Sequence, residues 1–345
     1  MIVVMNKGAS EDQIEQVIEK LIGLDFSVHR STGAVHTVLG AVGPAELVDP
    51  EEFKVMDGVM ECHRIMTPYQ LSARAFRPAG TRLRFESARA GAAEIGGPAV
   101  VLMAGPGSLE DEAQLMRCAE LVARAGARFF HAGGLRPHMA PKQIQALSAE
   151  TLRLLRKAAD TYGLFLAVEI GDAAQLPAIA EQADVLVVPS RNMRNYSLLE
   201  ALGAGAKPVL LRRAMAATVE ELLVSADCIL TGGNNNVMLC ERGIRTFETS
   251  TRNTLDVTAI PVVHKLSHLP VLADPSHATG RRDYVAPMAR AAVAAGADGL
   301  MIDVHPDPDR AIAEGAQSLN AAQFTDLVAQ LRAIAAAAGR SLQSR

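Results

Sequence analysis

Leu269-Pro270-Val271-Leu272-Ala273-Asp274-Pro275-Ser276-His277-Ala278-Thr279-Gly280-Arg281-Arg282-Asp283 leads from an apolar run, through a polar loop, into a helical pattern. A short and nearly continuous apolar run is what a strand buried on both faces requires, and such strands belong to parallel sheets covered by helices. The loop carries an imidazole, two guanidinium groups and two carboxylates within ten residues.

Seven more runs repeat this unit: Ala99 to Ala104, Ala127 to Phe130, Gly163 to Glu169, Asp184 to Val188, Lys207 to Leu211, Asn236 to Cys240 and Gly299 to Val304. Each precedes a helical segment, so the sequence predicts an α/β fold of the TIM-barrel kind, (β/α)₈. A doubly wound open sheet shares the alternation. Polar motifs at the carboxyl end of nearly every run favour the barrel, because that face carries its active site.

Upstream, Met1 to Met5 reads as a buried strand, and Ser10 with Gln13 offers a capping box for a helix reaching Ile22. Phe26 to His29 and Val35 to Leu39 alternate around a Ser31-Thr32-Gly33 turn, Ala45 to Glu52 reads as a second helix that Pro50 interrupts or restarts, and Val59 to Ile65 as a last strand. That order predicts a small ferredoxin-like α+β module. The expected division is a ferredoxin-like (ACT-like) domain at 1–66, a linker and hairpin at 67–98 and the barrel at 99–345, with Gly339 to Arg345 as a frayed tail.

The chain has 345 residues, 49% of them apolar, which supports a large core and excludes disordered and fibrous classes. Its net charge of -4 argues against a nucleic-acid binder. Four scattered cysteines without a CxxC pair, and no apolar stretch of membrane-spanning length, point to a reduced cytoplasm with no membrane partner.

Basic and polar residues gather after the strands: His131, Arg136 and His138 after the second, Arg191 and Asn192 after the fourth, Arg212 and Arg213 after the fifth. Arg242 and Arg245 follow the sixth, and Arg281 with Arg282 the seventh. The planar guanidinium fork matches phosphate and carboxylate, so several from different strands would form a pocket for a polyanion. The competing reading is a solvated rim paired to Glu241, Glu248 and Asp283. His277, with Asp303 and His305 at the end of the eighth strand and Glu314 beyond it, offers mixed N/O ligands for Mn²⁺, Fe²⁺ or Zn²⁺; a hydrogen-bonded network accounts for them equally well. Pro106-Gly107-Ser108 reads as a tight turn into a helix, either holding an anion on free N–H groups or simply capped by Ser108. Asn234-Asn235-Asn236 reads as turn chemistry, and Cys240 as a packed strand end.

Leu239-Cys240-Glu241-Arg242-Gly243-Ile244-Arg245-Thr246-Phe247-Glu248-Thr249, Lys265-Leu266-Ser267-His268-Leu269-Pro270 and the stretch from Asp274 to Asp283 resemble 3-deoxy-7-phosphoheptulonate (DAHP) synthase in its short microbial form with an N-terminal ferredoxin-like regulatory domain. The resemblance runs over nearly the whole chain. It implies a transferase of the shikimate pathway and of aromatic amino acid biosynthesis, which condenses phosphoenolpyruvate with erythrose 4-phosphate by an aldol-type C–C bond formation on a divalent metal, Mn, Fe, Zn or Mg. It also implies a homo-oligomer, a tetramer, with an aromatic amino acid as effector.

In that family the metal is held by a Cys, a His, a Glu and an Asp, and the matching positions here are Gly107, His277, Asp303 and Glu314. The thiolate is absent and the two carboxylates have exchanged lengths. The family's substrate loop is replaced by His131-Ala132-Gly133-Gly134-Leu135-Arg136-Pro137-His138-Met139-Ala140, with His131 at an arginine position, Arg136 at a lysine position and His138-Met139 at an Arg-Thr pair. Arg212 stands at another lysine position, whereas Arg191, Arg242, Glu169 and His277 match. The resemblance thus implies His277, Glu169 and Arg136 as catalytic residues, Arg191, Arg212, Arg242 and His131 around the donor, and Arg136 with His138 on the acceptor. Two alternatives remain beside the synthase reading. One is a retooled specialised-metabolism enzyme acting on another carboxylated or phosphorylated ligand without a transition metal, the other a non-catalytic regulatory paralogue.

Overall fold

The structure, a computed structural model, describes residues 1–33, 36–43, 48–64, 68–132 and 147–343. It forms two compact units, residues 1–81 with 264–269 and residues 82–263 with 270–345.

The first unit contains β1 (Ile2–Met5), α1 (Glu11–Gly23), β2 (Ser27–Thr32), β3 (Thr37–Val42), α2 (Glu51–Lys54) and β4 (Val59–His63). Its antiparallel sheet has the order β2-β3-β1-β4, the arrangement of a ferredoxin-like fold. The capping box at Ser10 and Gln13 forms, and Ile14, Val17 and Leu21 on one face of α1 are buried with Val3, Leu39 and Phe53. One local expectation is corrected. Ser31 and Thr32 lie within β2, and the turn closes from Gly33 N–H to the His36 carbonyl at 3.0 Å. As the restart reading expects, a helix begins directly after Pro50, whose missing N–H costs nothing at a helix start. Residues 45–47 of the expected second helix and Ile65 of the expected last strand lie outside the described residues.

The second unit opens with a hairpin, β5 (Leu83–Ser87) and β6 (Gly91–Ile95). Then follow β7 (Ala99–Gly105), α3 (Glu112–Ala125), β8 (Phe129–Ala132), α4 (Ala149–Thr161), β9 (Phe165–Glu169), α5 (Leu176–Gln182), β10 (Val185–Val188), α6 (Tyr196–Gly203) and β11 (Val209–Arg212). The chain continues with α7 (Val219–Thr231), β12 (Val237–Glu241), α8 (Ala259–Leu266), β13 (Val271–Ala273), α9 (Pro275–Thr279), α10 (Arg282–Ala294), β14 (Gly299–Asp303), α11 (Ala321–Ala337) and β15 (Ser341–Leu342). Strands β7 to β14 pair in parallel with their chain neighbours, and β14 closes on β7 from Gly299↔Val101 to Asp303↔Gly105. This is the closed eight-stranded barrel.

Most strands start one or two residues later than the apolar runs. Pro208 and Pro270 have no N–H to give to a ladder, so β11 and β13 begin after them. At the other end, pairing continues into polar residues, placing His131 and Arg212 inside strands rather than after them. The tail is not frayed through 343: Ser341 and Leu342 pair with Ala99 and Val100.

Phe129 and Phe165 are the first residues of β8 and β9, so they mark the amino end of the barrel. Phe85 of the hairpin meets Phe129 edge-on at 4.9 Å between ring centroids and Phe165 at 5.6 Å. With Leu83, Ala93 and Ile95 it extends the barrel core outward, leaving the carboxyl end as the open face.

Candidate functional site

The open face holds a cavity of about 420 Å³ lined by the ends of β8, β9, β11 and β14 and by the loops after them. Around it, oppositely charged groups alternate. Arg191 Nη2 meets Glu169 Oε1 at 2.7 Å, Glu169 Oε2 lies 3.8 Å from Arg212 Nη1, and Arg212 Nη2 lies 2.5 Å from Asp274 Oδ2. Asp274 is the residue after β13 and the N-cap of α9, where Oδ1 accepts the His277 backbone N–H at 2.9 Å. The same carboxylate holds the ring, with Oδ2 at 3.0 Å from His277 Nδ1. Burial works against the Asp274 charge, but the summed pull of His277 and Arg212 takes its pKa well below the usual carboxylate range. For His277 burial also opposes the charge, and Asp274 with Asp303 outweighs it, raising the pKa.

Arg242 differs from the other cavity arginines in this chain of pairs. It is buried, and its Nε and Nη1 have no hydrogen-bond partner among the described residues. Burial, with Arg212 nearby, lowers its pKa to about 10, still far above neutrality. A desolvated cation with unused donors is a costly arrangement unless an anion completes it. His131 adds no positive charge: burial pushes its pKa down against the pull of Asp303, and Nε2 is tied to the Ile302 carbonyl at 3.0 Å.

Gly107, His277, Asp303 and Glu314 do converge on one wall of the cavity. A Cβ on Gly107 would stand 2.8 Å from Glu314 Cβ and 3.2 Å from Asp303 Oδ2. His277 Nδ1 and Asp303 Oδ2 are 3.5 Å apart. These residues do not fit the transition metal that the resemblance implies. Glu314 Oε2 is paired to Arg252 Nη1 at 3.0 Å, Asp303 Oδ2 accepts a short hydrogen bond from Gln317 Nε2, and Gly107 contributes no donor. Among the described residues no group of three or more His, Cys, Asp and Glu side chains is arranged to hold a metal ion. In the structure these side chains are joined in a hydrogen-bonded network.

Other expected residues fall elsewhere. Arg136 and His138 lie outside the described residues, as does the stretch 133–146. Arg213 is bound to Glu241 and Asp256, at 2.8 and 2.9 Å, and so fulfils the salt-bridge reading. Arg281 and Arg282 line a separate surface depression with Asp283 and Asp309. His305 is held between the Asp307 N–H at 3.0 Å and Glu110 at 3.3 Å. Ser108 is not a helix cap: Asp111 caps α3, and Ser108 Oγ donates to the Ala313 carbonyl at 3.2 Å. Asn234 forms the expected turn, accepting the Asn236 N–H at 3.0 Å, and Cys240 is buried in the barrel core.

Sequence reasoning missed Arg252, Asn253 and Gln317. The available signal for the first two was the long loop from 242 to 258, since long ordered loops in compact domains are usually functional. Gln317 offered none.

No helix among the described residues is long and apolar enough to cross a membrane. Residues 85–337 match the family model described as DAHP synthetase I family, and residues 1–67 match the DAHP synthase ferredoxin-like domain. A phospho-2-dehydro-3-deoxyheptonate aldolase of Thermotoga maritima is 40% identical over 339 residues, covering 98% of this chain and 99% of that protein. A 2-dehydro-3-deoxyphosphooctonate aldolase of Syntrophotalea carbinolica is 34% identical over 194 residues, 53% of this chain and 69% of that one. The crystal structure of the Thermotoga maritima DAHP synthase superposes with a TM-score of 0.77 at 39% identity, covering 99% of this chain and 98% of that one. A truncated form of 3-deoxy-D-arabino-heptulosonate 7-phosphate synthase from the same organism gives a TM-score of 0.72 at 40% identity, over 79% of this chain and 98% of that one.

Proposed function

Because this chain belongs to the DAHP synthetase I family, we propose that it is an enzyme joining phosphoenolpyruvate, or a donor of the same chemistry, to an aldose phosphate such as erythrose 4-phosphate. The enol carbon attacks the aldehyde, a C–C bond forms, and water takes the place of the departing phosphate.

The observation that carries this reading is Arg242, a buried guanidinium with free donors on the open face of the barrel. Phosphate or carboxylate oxygens accepting Nε–H and Nη1–H would complete it with charge-assisted bonds on two sides of the guanidinium. Arg212, already paired to Asp274, adds fixed positive potential beside it without needing the ligand to stay in place. Arg191, held by Glu169, extends the cationic wall toward solvent. In this reading Asp274 orients His277 and the imidazole presents its other edge to the cavity, so Glu169 and Asp274 are positioning residues. Arg136 and His138 keep their proposed role on the acceptor from the resemblance alone. No step here runs through a metal.

The neutral state of His131 favours a second reading beside the first, because it removes a charge where the resemblance places an arginine. A less highly charged carboxylated ligand would then suit the site. Phosphate release from phosphoenolpyruvate with erythrose 4-phosphate tests the first reading, with thermal stabilisation by phosphoenolpyruvate read alongside. Turnover supports the synthase. Neither turnover nor stabilisation would sink it and favour the second.

The match of residues 1–67 supports an aromatic amino acid as effector of a homo-oligomer. Tyrosine or phenylalanine titrated into the protein should give binding heat, and none from either would oppose this. The free cysteines fit a cytoplasmic location.

A further inference from the structure

We infer that the cation built into the wall formed by Gly107, His277, Asp303 and Glu314 is the guanidinium of Arg252, which replaces a tightly held divalent metal. The inference rests on the synthase reading and deepens it by stating how the positive charge facing the acceptor is supplied.

Three observations carry it. First, the room for a fourth ligand at position 107 is filled. A side chain there would meet Glu314 at both Cβ and Cγ, at 2.8 and 3.2 Å, so the longer carboxylate occupies the space that Gly107 leaves. Second, one oxygen of each carboxylate is already engaged, while Asp303 Oδ1 has no hydrogen-bond partner among the described residues. Glu314 Oε2 holds Arg252 Nη1 at 3.0 Å with the glutamate side chain only 10% exposed, and Asp303, fully buried, takes the Gln317 amide on Oδ2. A metal bound through Glu314 Oε2 and Asp303 Oδ2 would have to displace a cation from one and an amide from the other, with no thiolate to favour it.

Third, the backbone of Arg252 is fixed beside His277, and its side chain, 40% exposed, reaches Glu314 from there. The Arg252 backbone N–H donates to the Thr279 carbonyl at 3.0 Å, Asn253 N–H to Ala278 at 2.8 Å, and Asn253 Nδ2 to the His277 carbonyl at 3.1 Å. Gly280, in the left-handed region at φ 67°, completes the fit, because a Cβ there would lie 2.8 Å from both Cβ and Nε of Arg252. Glu314 also sits in the left-handed region, at φ 60°, a conformation uncommon for non-glycine residues. Strain and stitching together hold one ion pair against the cavity. A guanidinium placed this way provides positive potential without exchanging with solvent ions.

The test measures metal before it measures rate. The protein is stripped with chelator, incubated with Mn²⁺, Co²⁺ or Zn²⁺, desalted and analysed for bound metal. We expect far less than one equivalent per chain, no shift in melting temperature with any of the ions, and the same phosphate release with and without chelator. Arg252→Met should lower kcat on the order of 100-fold, the usual effect of removing one aligned charge donor, while thermal stabilisation by phosphoenolpyruvate is kept. One equivalent of metal retained by the wild type and lost in His277→Ala would overturn the inference, as would an Arg252→Met variant with unchanged kcat. Stabilisation by phosphoenolpyruvate is a separate readout, so failure of the proposed reaction and failure of this inference are told apart.

Discussion

Arg212 Nη2 lies 2.5 Å from Asp274 Oδ2, and the two side chains are 5% and 0% exposed. The pair joins the end of β11 to the start of α9 and fixes the carboxylate that orients His277. Breaking such a pair from one side strands a charge away from water.

Arg212→Met is therefore expected to cost about 3–5 kcal/mol of stability, the range for removing one partner of a buried ion pair. Arg212→Lys keeps the charge but not the fork and should cost less. Denaturant unfolding of the three proteins measures this. An unchanged midpoint for the methionine variant would show that the pair stabilises nothing.

Arg242→Met should behave in the opposite way. The guanidinium has no partner for Nε or Nη1 among the described residues, so its loss leaves the ligand-free fold as stable as before or more so. Two charge-assisted bonds at about 1.5–3 kcal/mol each would be lost from the complex, which weakens phosphoenolpyruvate binding by at least about 100-fold. Calorimetric titration decides: equal affinity in both proteins removes Arg242 from the donor site.

His268 makes the first unit sensitive to acid. Its Nε2 lies 2.6 Å from the Leu71 carbonyl and Nδ1 2.7 Å from Thr81 Oγ1, a setting that suits the neutral ring. Burial lowers its pKa to about 4. The unfolded chain then binds more protons than the folded one between roughly pH 4 and 6.5, so this contribution is fully present above about pH 6.5 and declines as pH falls toward 4. The total is on the order of 3 kcal/mol. Unfolding midpoints of wild type and His268→Gln, followed from pH 7.5 to 4.5, should differ in slope. Parallel curves would remove His268 as the cause.

Phe85→Ala empties the contact between the hairpin and the barrel floor. A fully buried aromatic truncated to alanine costs about 3–5 kcal/mol, and here the loss falls on packing against Phe129 and Phe165. Thermal unfolding should show it directly. A shift of a degree or less would mean that the hairpin is an ornament rather than part of the core.

The barrel is legible in the sequence because each of its strands is buried on both faces, so the apolar runs stand out from the helices between them. Runs end where burial of apolar atoms ends, however, and not where pairing ends. That is why His131 and Arg212 read as loop residues although both lie in strands. The same limit hid one contact of the site. Arg242 follows a strand and could be found by position, but Arg252 and Glu314 are 62 residues apart and meet through two irregular segments that no periodicity describes. Gly107 gave the reverse problem: the sequence shows a missing thiolate, while only the packing shows that Glu314 has taken its room. Turn chemistry was more reliable where one side chain decides it, as at Ser10 and Asn234, than where two compete, as at Ser108 and Asp111.

The hairpin of β5 and β6 turns the barrel into a vessel with a stopper at its base. Among the described residues the base is closed, and the cavity lies at the opposite, carboxyl end of the strands. Molecules stacked in such a vessel queue: the one seated nearest the floor goes in first and leaves last. If two reactants share the cavity, depth alone imposes a sequence on their arrival, and initial-rate patterns with a dead-end analogue of either reactant will read that sequence out.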